Sequence, residues 1–127
     1  MSDLLWPKIT SVMRHAGGER EVMKYGYAVQ DNDLSMQLHA LSKFECDVID
    51  KDSELFEIIE RLKPGDVLVV WRLDKLTKEV STIEGILSRV HQAGASLELL
   101  FEKLNSGSDY KQVLSQLIDA MSKIEKL

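Results

Sequence analysis

The run Val67-Leu68-Val69-Val70-Trp71 is apolar on both faces of an extended chain. That pattern marks a central parallel strand covered by helices on its two sides. Strand and helix patterns alternate around it. Val22 to Val29, "VMKYGYAV", reads as a strand, and Asn32 or Asp33 is placed to cap a helix through Leu34, Leu38 and Leu41. "CDVID", Cys46 to Asp50, is a short strand. Leu55, Ile58, Ile59 and Leu62 fall at helical spacing, and Lys63-Pro64-Gly65-Asp66 has Pro and Gly where a type II turn wants them. Ile83, Ile86, Leu87 and Val90 then predict a helix that stops near Gly94. "ASLELLF" predicts a last strand, "NSGSD" a turn, and the remainder a final helix. This alternation predicts an α/β fold: a doubly wound, mostly parallel sheet of about four to five strands, with flanking helices and a long C-terminal helix.

In the final helix Tyr110, Leu114, Leu117, Met121 and Ile124 form one seam, and Val113, Ile118 and Leu127 widen it. One seam suffices to dock a helix on a sheet. The extra row predicts a second contact surface, with self-association through Tyr110, Leu114, Leu117, Ile118, Met121 and Ile124 as its use. At the other end residues 1–22 read as an extension to a domain spanning 23–127. Pro7 is placed to open a short helix carrying Ile9, Val12 and Met13, which Gly17-Gly18 breaks.

The chain has 127 residues, 44% hydrophobic and 29% charged, which bounds it to one ordinary globular domain. Its net charge of −5 gives no general attraction to nucleic acid, so DNA is expected as a weak partner at most. Cys46 is the one cysteine, which rules out an internal disulfide and suits a reducing cytoplasm. No apolar run reaches the roughly 18–20 residues of a membrane span, and "MSDLLWPKI" is no secretory signal. His15, His39 and His91 have no partners at metal-ligand spacing and read as surface residues, so neither metal nor cofactor is expected. Trp6 and Trp71 read as core. Asp31, Asp33 and Asp52 would fall near the carboxyl ends of the first two strands, where an acidic pocket can form. Arg72, Lys75 and Lys78 surround the exit of the central strand. They face either neighbouring acids such as Asp74 and Glu79 or a phosphate.

From Tyr25 onward the chain resembles the catalytic domain of the serine recombinases, the resolvase and DNA-invertase family. "YGYA", "DLSMQLHAL" with "CDVI", "LKPGDVLVVWRLDKL" and "HQAG" carry the resemblance, in the family's order. It implies a resolvase-like fold and attack of a serine hydroxyl on a DNA phosphodiester. Such a site needs the serine and several guanidiniums that hold phosphate oxygens through forked hydrogen bonds. Against that pattern, Tyr27 and Gln37 survive in the first motif, but Val29-Gln30-Asp31-Asn32 replaces its arginine and nucleophilic serine. Ser35 lines up with an ordinary helix position. Asp52 falls on an acidic position, and the mobile segment with its arginine is missing after it. Arg72 and Asp74 are kept, Lys75 and Lys78 stand for arginines, and Glu125-Lys126 stands for a Glu-Arg pair. Lysine keeps the charge and loses the planar fork. The family's helix-turn-helix domain is expected to be absent after Leu127.

The sequence therefore predicts a catalytically inactive recombinase-like domain that acts as a homodimer or as a hetero-oligomer with a related recombinase. Arg72, Lys75, Lys78 and Lys126 are its candidate phosphate contacts. Two alternatives stand beside it: an active recombinase or nicking enzyme with a relocated serine, Ser35 or Ser53, and a small non-enzymatic DNA-backbone-binding or signalling domain using Arg72, Lys75 and Lys78.

Overall fold

A computed structural model describes residues 22–107 and 110–125. The extension before Val22, Lys126, Leu127 and the side chains of Lys123, Ile124 and Glu125 lie outside the described residues.

One five-stranded sheet carries the fold, in the order β2-β1-β3-β4-β5. Strand β1 (Lys24–Tyr27) lies between β2 (Val48–Asp50) and β3 (Val67–Val70), parallel to both. Strand β4 (Ser96–Leu99) runs parallel to β3, and β5 (Leu104–Asn105) closes the edge antiparallel. The helices are α1 (Leu34–Lys43), α2 (Leu55–Arg61), α3 (Leu73–Leu76), α4 (Val80–Gln92) and α5 (Tyr110–Glu125).

Because side chains alternate across a strand, the apolar run of β3 feeds two cores. Leu68 and Val70 join Tyr27, Leu97 and Leu99 against α2, α4 and α5 in the main core. Val69 and Ala28 turn the other way, onto Leu41 of α1. Gly26 lets α1 come close. A Cβ there would lie 3.2 Å from Leu41 and from Cys46 Sγ, tighter than most side-chain contacts. At the end of α4, Gly94 takes φ 79°, and a Cβ there would approach Pro64 to 3.0 Å.

The predicted α/β architecture is borne out, with its KPGD turn closed by the Asp66 N–H on the Lys63 carbonyl (2.9 Å) and Gly65 at φ 90°. Three details differ. Part of "NSGSD" pairs as β5 rather than forming only a turn. "LDKL" forms α3, a single turn too short to show periodicity. Trp71 lies past the end of β3 and is half-buried, not core.

Candidate functional site

In this strand order the chain leaves β1 for one side of the sheet and reaches β3 on the other. The loops after β1 and β3 therefore diverge and leave a crevice at the carboxyl ends of the strands, the usual ligand site of such folds. Residues 28–33 lie on one side, and α3 meets them from the other through Lys75.

The first side is organised from below by a buried amide. Gln37 is fully buried on α1. Its Oε1 accepts the Val29 N–H at 2.9 Å, and its Nε2 donates to the Val29 carbonyl at 2.9 Å and to Asp31 Oδ1 at 3.1 Å. Asp31 Oδ1 also accepts the Asp33 N–H at 2.9 Å. Asp33 occupies the N-cap position of α1 but makes no side-chain cap bond, contrary to the capping role read from sequence. Its carboxylate goes across the crevice instead.

That carboxylate meets Lys75. Lys75 Nζ lies 2.8 Å from Asp31 Oδ2 and 2.8 Å from Asp33 Oδ2. The lysine side chain is 7% exposed, against 37% and 45% for the two acids. The hydrogen bonds to Asp31 and then Asp33 raise the Lys75 pKa, and the bond from Lys75 holds the Asp31 carboxyl below its ordinary value. The Lys75 charge is thus already paired with two carboxylates. A phosphate oxygen approaching Lys75 would find both carboxylates already there.

The backbone amide opening α3 is occupied in the same way. The Leu73 N–H donates to both carboxylate oxygens of Glu102, at 3.2 and 3.1 Å. Arg72 Nε sits 3.2 Å from Asp74 Oδ1, a close charge contact without the alignment of a hydrogen bond. Its guanidinium lies 4.7 Å from the Phe101 ring centre and 5.5 Å from that of Trp71. Lys78 is exposed, and its charge helps lower the Asp31 pKa.

The other expected residues do not join this centre. Tyr27 faces the main core, where burial raises its hydroxyl pKa. Asp31 and Asp33 come together, but Asp52 is exposed and bonded to Lys51 and Gln30. Asp50 is the acid that orders the loop after β2. It accepts the Ser53 N–H at 2.8 Å, the Asp52 N–H at 2.9 Å and Arg61 at 3.0 Å, which hold its carboxyl well below the usual range. Ser53 Oγ accepts from Arg61, and Ser35 is exposed on the first turn of α1. His91 is no free surface residue: Nε2 lies 2.7 Å from Ser106 Oγ, and its ring meets Tyr110 edge-on. Among the described residues no group of three His, Cys, Asp or Glu side chains is placed to hold a metal. Nor is any described helix long and apolar enough to cross a membrane.

Helix α5 divides the expected association row. Val113, Leu117 and Met121 turn into the main core, so Leu117 and Met121 are committed to this chain's own packing. Tyr110 and Leu114 pack partly on that core, whereas Ile118 is 37% exposed. Ile124 and Glu125 have no described side chains.

A family model described as "Resolvase, N terminal domain" matches residues 27–127. The chain belongs to the resolvase family. Among relatives of this resolvase domain, the DNA-invertase hin of Salmonella typhimurium is 27% identical over 105 residues, covering 76% of this chain and 55% of that protein. The transposon Tn552 DNA-invertase BinR of Staphylococcus aureus is 28% identical over 118 residues, covering 82% and 62%. The chain thus spans about three fifths of the length of such relatives. A resolvase family site-specific recombinase from Streptococcus pneumoniae superposes with a TM-score of 0.63 at 16% identity, covering 84% of this chain and 89% of that one. The N-terminal catalytic domain of TP901-1 integrase gives 0.56 at 16% identity, covering 81% and 95%. At that identity the two structures speak for the fold, and they agree with the resolvase-like architecture read from sequence.

Sequence reasoning missed Glu102 and the coupling of Asp31 and Asp33 to Lys75. These partners are 29, 44 and 42 residues apart, and no local pattern joins them.

Proposed function

We propose that this resolvase domain no longer cleaves DNA and acts through association, with itself or with a related recombinase. The observation that carries the reading is the Asp31–Lys75–Asp33 contact in the crevice. Attack on a phosphodiester needs free cations that stabilise an anionic transition state. Here the buried cation faces two carboxylates, and the amide that opens α3 faces a third. The segment that the resemblance gives to an arginine and a serine is an acidic turn held by Gln37.

Association would use the outer side of α5. Leu114 and Ile118 line a shallow recess of about 260 Å³ with Lys111 and Ser115. Static light scattering on the full chain at tens of micromolar tests this. The expected mass is about twice the 14.4 kDa of one chain, returning to that of one chain in Leu114→Glu/Ile118→Glu. A monomer that also fails to bind an intact recombinase would remove the basis of the role.

A further inference from the structure

The face of the sheet opposite the main core carries one described helix, α1. Beside that helix an apolar groove stays open. Two adjoining recesses of about 300 and 400 Å³ share Ala40 and Trp71, and together they run along α1 from Met36 to Phe44. Leu100 and Phe101 complete the opposite wall. Met36 is 55% exposed and Phe101 61%, so large apolar side chains face water along its length. A contiguous surface of this kind on a small domain marks a contact site.

We propose that the chain's own N-terminal extension, residues 4–13, seats in this groove. The extension joins at Val22, which lies beside Gly65 at the start of β3, and two residues on Lys24 reaches the Phe44 end of the groove, donating from Nζ to the Phe44 carbonyl at 3.2 Å and lying 4.8 Å from the Phe44 ring. The groove follows the ten residues of α1, about 15 Å at a helical rise. Residues 14–21 can span at most about 29 Å when extended, enough to bring residues 4–13 alongside. That segment holds Leu5, Ile9, Val12 and Met13 at the spacing of one helical stripe, with Pro7 suited to a first turn. An amphipathic stretch of this length matches a groove of this shape. Its tether gives it an effective concentration of order millimolar, which favours it over a free partner at cellular levels.

The test is limited trypsin digestion of the full chain, following cleavage after Lys8 and Arg14. Met36→Glu and Phe101→Glu, both at exposed positions, are expected to speed that cleavage about tenfold at a rate independent of protein concentration. Ile9→Glu/Val12→Glu, which leaves the folded domain untouched, is expected to do the same. In a Trp6→Phe background, where Trp71 is the remaining tryptophan, it should also shift the emission to the red. Equal cleavage rates in the parent and all these variants would overturn the proposal. So would protection that appears only as concentration rises, since that assigns the groove to a second copy.

Discussion

Gln37→Leu is the substitution that tests most sharply how the acidic turn is held. Leucine keeps nearly the same volume, so no large cavity opens and the effect isolates the polar contacts. The Gln37 amide makes three hydrogen bonds, two to the backbone of Val29 and one to Asp31, from a fully buried position. Removing it leaves the Val29 N–H without that partner beside an apolar side chain, while the Val29 carbonyl keeps the Asp31 N–H at 3.0 Å. A buried polar group that loses its partner costs about 1–3 kcal/mol, and Val29 is only half-buried, so water offsets part of the loss. One such group in the lower half of that range predicts a destabilisation of about 1–2 kcal/mol. Urea unfolding followed by circular dichroism measures it, and amide exchange at Val29 reports whether the turn itself has opened. Gln37→Glu sharpens the test, because a carboxylate would face the Val29 carbonyl and Asp31 Oδ1. Its cost should grow as pH rises through the range where the new carboxyl ionises. A loss below about 1 kcal/mol in Gln37→Leu, with Val29 exchange unchanged, would show that the turn holds itself without the amide.

Other expectations follow from the same contacts. Asp31 is held below its ordinary pKa by Lys75, and Asp50 is lowered mainly by the Ser53 backbone N–H. Their stabilisation is fully present above an unfolded carboxyl pKa of about 3.9 and fades as pH falls through the lower folded values, so urea midpoints should drop below about pH 4. Lys75 is raised, so its share persists at neutral pH and is lost only as pH climbs through its folded pKa, above the ordinary lysine value of about 10.4. Asp31→Asn/Asp33→Asn frees Lys75 for anions. Duplex DNA affinity at low salt should rise about tenfold, with a salt dependence steeper by about one phosphate contact. Gly26→Val places methyl groups against Leu41 and Cys46 and should cost about 1–3 kcal/mol or more in urea unfolding.

The fold was largely legible because its determinants are local. Val67 to Val70 announce a covered strand, Pro64-Gly65 fixes the preceding turn, and Gly94 ends α4 at a positive φ that few other residues accept. Shorter elements were hidden: β5 is a two-residue pairing and α3 a single turn, too brief for a period. The site was legible only through the resemblance. "VQDN" stood out against the resemblance, but Asp33 looked like a helix cap because its true partner, Lys75, lies 42 residues away. The same blindness applies to α5, where residues of the docking seam and of the extra row were together assigned to association. Only packing distinguishes Leu117, at full burial, from Ile118 beside it.

The proposed loss of phosphoryl transfer has a direct measurement. Supercoiled DNA bearing an inversion site of the hin relative is incubated with the full chain, quenched with denaturant, and resolved for protein-linked, nicked or linear DNA. Plasmid that stays supercoiled and carries no covalent protein is expected, beside a parallel reaction with the DNA-invertase hin as the control. A phosphoseryl–DNA adduct that survives denaturation and disappears in Ser35→Ala would contradict this expectation.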